Sequence, residues 1–139
     1  MKYLRKFNER IEYKDLENLI FDIKDLEYDL NDMDVQLKIF PDPEKDPIRF
    51  NLLRMYLGDS ISSKPCDFRI EFKINGSTSR MTTDECDNLL RIINHLKQIV
   101  VDFGFVIKDF SNDRIHVAMN GYLLMQKSLT DIKFIIEKK

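Results

Sequence analysis

The sequence predicts an α+β domain in which a unit of one helix and three strands occurs twice. The expected fold is one antiparallel sheet of about six strands with two helices packed on one face. Three observations support this prediction. Apolar residues recur at helical spacing in two segments, the period changes to two after each segment, and the two halves resemble each other at an offset of 70 residues.

The first predicted helix covers residues 14–31 and the second covers roughly residues 83–103. In both, apolar residues follow the i, i+3, i+4, i+7 spacing of one helical face. The stripe of the first helix consists of Leu16, Leu19, Ile20, Ile23, Leu26 and Leu30. The second stripe is broader, which predicts deeper burial. Thr82 and Glu85 stand three residues apart before it, a spacing typical of a helix capping box.

Alternation of apolar and polar residues predicts the strands that follow each helix. The predicted strands lie at residues 33–39, 48–57, 68–74, 105–107, 115–119 and 132–136. The apolar phase shifts by one residue within 48–57, which we interpret as a bulge. The proline-rich segment 41–47 predicts a loop before that strand. Asn120-Gly121 is read as either a hairpin turn or a bulge within a longer fifth strand.

The internal repeat is the third observation. Placing residues 17–40 on residues 87–110 without a gap gives seven identities in 24 positions. Some of these are polar, such as Asn18 with Asn88 and Asp32 with Asp102, and shared apolar periodicity does not explain them. The sequence therefore predicts a single domain, residues 1–139, with repeat units 14–81 and 82–139 and an N-terminal arm 1–12.

Composition limits the classes of function. The chain has 139 residues, a net charge of -2 and 33% charged residues, which argues against a strongly basic nucleic-acid binder as a description of the whole chain. Its two cysteines form no CxxC pair, a pattern typical of a reducing compartment. No apolar run approaches the roughly 20 residues that span a bilayer, and the N-terminus lacks the apolar core of a secretory signal. We therefore predict a cytoplasmic protein without membrane contact.

No motif in the sequence indicates catalysis. A glycine-rich phosphate loop, a dinucleotide-binding fingerprint and a His-Glu-x-x-His zinc motif are all absent from the sequence. His95 and His116 have no carboxylate or nucleophile at a telling spacing. The acidic run in the first helix lacks the glycine turn and final glutamate of a calcium loop. The sequence thus predicts no enzyme, no cofactor and no metal.

Segregated charge indicates a candidate binding surface. If the alternating apolar residues face the helices, basic residues dominate the opposite face of the sheet. The predicted binding residues are Arg49, Arg54, Tyr56, Arg69, Lys73, Lys108, His116 and Lys133. Cations with an occasional aromatic ring suit phosphates and bases. A docking site for an acidic protein and a merely solvated face stay open as alternatives.

The opening residues MKYLRKFNE resemble the N-terminus of small uncharacterised proteins of tailed bacteriophages. The resemblance implies a viral origin, hence the host cytoplasm, and no particular activity. The main hypothesis is a non-catalytic accessory protein that acts through protein–protein contact, with a homodimer as one form. A nucleic-acid-binding module on the basic sheet face is the alternative, and a small enzyme with an unrecognised site is the third hypothesis.

Overall fold

A computed structural model describes residues 13–58, 60–110 and 120–138. The helices are α1 (Tyr13–Asp25), α2 (Glu27–Leu30), α3 (Pro47–Leu57), α4 (Thr83–Asp102) and α5 (Gly121–Lys127). The strands are β1 (Val35–Phe40), β2 (Phe68–Ile74), β3 (Phe105–Phe110) and β4 (Asp131–Lys138). Within these ranges, no helix has the length and apolar character needed to cross a membrane.

The strands form one antiparallel sheet in the order β1-β2-β4-β3. The last strands of the two halves, β2 and β4, therefore lie side by side at the centre, and β1 and β3 lie at the edges. This confirms the predicted α+β class and the antiparallel sheet. The predicted six-stranded sheet is not confirmed, because the described residues form four strands.

The predicted strand at 48–57 is wrong, because these residues form helix α3. The carboxylate of Asp46 caps the helix by accepting a hydrogen bond from Arg49 N at 3.3 Å, and Pro47 occupies the first turn, where its missing N–H costs nothing. The buried residues Phe50, Leu53 and Leu57 follow helical spacing. Apolar residues fill most positions of α3, so a period of two fits the segment as well as a period of 3.6.

The predicted fifth strand at 115–119 lies outside the described residues. Asn120-Gly121 is neither a hairpin turn nor a bulge. Asn120 caps α5, and its side chain accepts a hydrogen bond from Leu123 N at 2.9 Å. In the first half the expected unit of one helix and three strands is wrong, since helix α3 stands where the second strand was predicted. In the second half, helix α5 precedes β4, and the described residues form two strands.

The core lies between the helices and one face of the sheet, here called the inner face. The predicted stripe of α1 and α2 is buried, as are most residues of the α4 stripe and alternate residues of the strands. Two edge-to-face ring pairs cross the sheet: Phe68 with Phe105, with centroids 6.1 Å apart, and Phe72 with Phe134, with centroids 6.0 Å apart. Such burial is the main stabilising term for a domain of this size.

Helix α4 confirms two predictions. Glu85 N donates to Thr82 Oγ1 at 3.1 Å and Thr82 N donates to Glu85 Oε1 at 2.9 Å, so the capping box is present. The predicted apolar stripe is present, with Leu89, Ile92, Ile93, Leu96 and Val100 buried and Leu90 and Ile99 half-buried. The deeper burial expected relative to the first helix is not observed, because all six residues of the first predicted stripe are buried as well. Helix α4 packs against α1 and α5, and it contacts β3.

Candidate protein-binding surface

The face of the sheet that points away from the core is here called the outer face. It carries Gln36, Lys38, Phe40, Arg69, Glu71, Lys73, Val106, Asp131, Lys133, Ile135 and Glu137. All of them are exposed or half-buried except Glu71, which is 9% exposed. The helices contribute their buried side chains to the core on the other side.

A row of three outer-face residues crosses the strands near the end of β1. Phe40 pairs with Arg69, and Arg69 pairs with Ile135. The Arg69 guanidinium lies 4.6 Å from the centroid of the Phe40 ring, and its Nε donates to Glu71 Oε2 at 3.1 Å. An aromatic face and a carboxylate thus hold the guanidinium in place, which lowers the entropy it would lose on binding.

The neighbouring row corrects the prediction of a predominantly basic face. Lys38 pairs with Glu71, and Glu71 pairs with Lys133, so a carboxylate stands between two ammonium groups. In the next row, Lys73 pairs with Asp131. Opposite charges directly across an antiparallel pair attract each other. The outer face is therefore a mixed-charge surface.

The predicted binding residues do not form one surface. Arg69, Lys73 and Lys133 lie on the outer face. Lys108 is exposed on β3, where the register shifts between Ile107 and Asp109 and Lys108 is the extra residue of the shift. His116 lies outside the described residues.

The other three predicted residues, Arg49, Arg54 and Tyr56, lie on helix α3. Arg54 Nη1 donates to Glu17 Oε2 at 2.9 Å, which ties α3 to α1. Lys138 Nζ lies 5.1 Å from the centroid of the Tyr56 ring, at the end of β4. Arg54 and Tyr56 thus hold α3 in place. They do not lie on the outer face, because their segment is a helix rather than a strand of the sheet.

Arg49 and Arg69 both line a cavity of about 430 Å³, here called the β1 groove. The groove lies between β1, the loop that follows it, and the first turn of α3. Its lining consists of Leu37, Lys38, Ile39, Phe40, Pro41, Asp42, Lys45, Asp46, Arg49, Cys66, Asp67 and Arg69. It therefore opens beside the Phe40 and Arg69 row.

Four cationic side chains and three carboxylates line the β1 groove. Asp42 Oδ1 accepts hydrogen bonds from Glu44 N at 2.8 Å and Lys45 N at 3.3 Å, and Asp46 caps α3. Main-chain amides thus already stabilise two of the carboxylates. The Arg49 side chain is 61% exposed, and its Nε lies 3.8 Å from Asp46 Oδ2. These positions leave cationic groups available to an incoming anion.

Cys66 also lines the groove, and its thiol is not activated. Burial raises the pKa of the Cys66 thiol, and the nearby Arg49 charge lowers it by less. The thiol is therefore protonated at neutral pH, unlike the low-pKa thiolates of cysteine enzymes. In the part of the chain that the structure describes, no group of three or more His, Cys, Asp or Glu side chains is arranged to hold a metal ion.

Lys64 forms ion pairs with two carboxylates at one end of the outer face. Its Nζ lies 3.1 Å from Glu137 Oε2 and 3.2 Å from Asp67 Oδ1. Burial lowers the pKa of the Lys64 ammonium, but the hydrogen bonds and charges of Glu137 and Asp67 together outweigh it and raise the pKa. The Lys64 ammonium thus balances the charge of Glu137, which pairs in register with Val106.

Sequence reasoning missed Phe40, Ile135 and Lys45. Phe40 could have been found by extending the outward positions Gln36 and Lys38 by two residues. Ile135 is hidden within an apolar run, because both of its neighbours are buried. Lys45 reaches the groove from a loop, and no periodicity places it there.

No family model, curated protein or solved structure matches this chain. Its function is therefore inferred from its own residues.

Proposed function

We propose that the protein is a non-catalytic binding protein that acts through contact with another protein at the outer face of its sheet. The row of Phe40, Arg69 and Ile135 carries the proposal. Aromatic residues and arginine are enriched at the centres of protein interfaces, and lysine and glutamate are depleted there. Here two apolar side chains flank an arginine, and the charged rows of Lys38 and Lys73 lie beside them.

The ordered state of Arg69 adds to this support. A guanidinium already held by the Phe40 ring and the Glu71 carboxylate loses little freedom when a partner covers it. Half-buried Ile135 offers apolar area to the same partner. Charged residues around the row would form the rim and set its orientation.

The test is capture of partners by the full chain and by two variants, Ile135→Glu and Arg69→Ala. Circular dichroism first establishes that each variant is folded. Val101→Glu is the matched control, because Val101 is 55% exposed on α4. We expect the outer-face variants to weaken binding of the captured partner at least about tenfold, as removal of an interface hot spot does, and the control to bind normally.

A lysine-reactive cross-linker locates the contact. We expect cross-links to the partner from Lys38, Lys73 and Lys133, and none from Lys127, which is exposed on α5. Partners retained by Ile135→Glu, or cross-linked mainly through Lys127, would contradict the proposal. Sedimentation velocity tests whether the partner is a second copy of this chain. A dimeric wild type together with a monomeric Ile135→Glu variant would identify the second copy as the partner.

Nucleic acid is the second candidate, favoured by three exposed lysines, Lys38, Lys73 and Lys108. The carboxylates of Glu71 and Asp131 alternate with the cations and weaken the potential that a phosphate backbone would meet. We therefore rank protein contact first. Fluorescence anisotropy with labelled DNA and RNA at low and physiological salt decides between them, since micromolar binding with a steep salt slope indicates phosphate neutralisation.

We also propose that the two halves arose by duplication of a unit reading helix, strand, helix, strand. The offset of 70 residues places β1 on β3 with the same bounds. Glu17 and Asp87, separated by that offset, each contact the second helix of their own half. Glu17 binds Arg54 at 2.9 Å, and Asp87 Oδ1 accepts a hydrogen bond from Gly121 N at 2.6 Å. The cytoplasmic location and phage origin remain proposals from the sequence.

A further inference from the structure

One edge of the sheet, β1, faces no other strand in the described ranges. Asn75 N donates to Asp34 O at 3.1 Å, and Ile74 N donates away from β1, to Thr130 O at 2.9 Å. Hydrogen-bonded pairs alternate along an antiparallel ladder. The main-chain groups of Gln36, Lys38 and Phe40 consequently point toward β2. Those of Val35, Leu37 and Ile39 point outward from the sheet edge.

The β1 groove follows this edge. The side chains of Leu37 and Ile39 are 9% and 5% exposed because they lie in the core, yet both residues line the groove. Their main-chain groups must therefore form part of its wall. An unpaired strand edge beside a cavity is the geometry on which an extended peptide adds as a further strand.

The two edge strands, β1 and β3, differ in how well they could pair with an added strand. Strand β1 pairs with β2 in continuous register from Val35 to Phe40. Strand β3 has a register shift at Lys108, and such irregularities protect an edge from pairing with other chains. The regular edge is thus the one that lies beside the groove.

The charges of the groove indicate the chemistry of the added strand. Lys38, Lys45, Arg49 and Arg69 line it, while main-chain amides engage the carboxylates of Asp42 and Asp46. On a strand laid along β1, alternate side chains would lie on the same side as the outer face, which carries Lys38 and Arg69. Carboxylates at those positions would form charge-assisted hydrogen bonds with the arginines.

We propose that the β1 edge binds an extended acidic segment of the partner protein as a fifth strand. The inference rests on the proposed function, since it names the chemistry of the partner and the part of the surface that recognises it. The main chain of Val35, Leu37 and Ile39 supplies affinity, and Arg49 and Lys45 select acidic side chains. Phe40 and Arg69 line the β1 groove and also lie on the outer face, so the two surfaces are continuous.

Selection from a display library of random twelve-residue peptides against the full chain tests the proposal. We expect the enriched peptides to carry Asp or Glu at alternate positions. Synthetic copies N-methylated at alternate residues test the main-chain pairing, because a methyl group removes the N–H donor. Methylation in one phase should weaken binding at least about tenfold, and methylation in the other phase should leave it unchanged.

The charge contribution is tested with Lys45→Glu and Arg49→Glu, both exposed side chains. We expect each to lower the affinity for the enriched peptides at least about tenfold, whereas Lys127→Glu on α5 should bind within about twofold of wild type. Absence of enrichment, or peptides without alternating acids, would overturn the proposal, as would equal sensitivity to both methylation phases. The Ile135→Glu capture experiment judges the outer-face contact separately, so the two proposals can fail independently.

Discussion

Replacing Phe134 by alanine is expected to lower the free energy of unfolding by about 3–5 kcal/mol, the usual cost of truncating a buried phenylalanine. Phe134 is fully buried on β4, one of the two central strands. Its ring meets Phe72 edge to face, with an interplanar angle of 89°. The substitution removes this pair and leaves a cavity between the sheet and the helices. Urea unfolding followed by circular dichroism measures the change.

Phe21→Ala is the matched control, because the same side chain is 66% exposed on α1. Its expected cost is below about 0.5 kcal/mol. Similar losses for the two variants would contradict the packing of the inner face described above.

Replacing Thr78 by valine is the second large effect, with an expected cost of about 2–4 kcal/mol. Thr78 is fully buried in the turn after β2. Its Oγ1 donates to Leu124 O at 2.8 Å and accepts from Leu129 N at 2.8 Å, which ties this turn to α5 and the start of β4. Valine has nearly the same shape but leaves both main-chain groups without a partner, and each such group costs about 1–3 kcal/mol.

Thr78→Ser separates this hydrogen-bonding role from packing. Serine keeps the hydroxyl and loses one methyl group, for an expected cost of about 1 kcal/mol. The same urea titration compares the variants. A valine variant as stable as the serine variant would show that the hydroxyl does not hold the two halves together.

The sequence predicted correctly those elements whose apolar residues fit either the helical period of 3.6 or the strand period of two, but not both. Helix α4 has a single apolar stripe and a capping box, and β2 alternates cleanly from Phe68 to Ile74, so both were placed within one or two residues. Helix α3 was mistaken for a strand because Ile48 and Leu52 are apolar although they are 75% and 40% exposed. Asp46-Pro47 is a typical helix start, but the proline-rich segment 41–47 predicted only a loop.

The candidate site was harder to predict because it depends on contacts between distant segments. Alternation within β2 correctly places Arg69 and Lys73 on the outer face. That Glu71 separates Lys38 from Lys133 follows only from the register of three strands. The β1 groove, which Arg49 and Arg69 both line, is formed by a helix, a loop and strands that are distant in the sequence.

The most direct test of the central claim is amide hydrogen exchange along β1, measured by NMR in the free protein and with an enriched acidic peptide. In the free protein, we expect fast exchange at Leu37 and Ile39 and slow exchange at Lys38 and Phe40, whose amides bond to β2. The peptide should slow Leu37 and Ile39 selectively. Equal protection of all four amides in the free protein, or no change on peptide binding, would contradict an open edge that receives a partner strand.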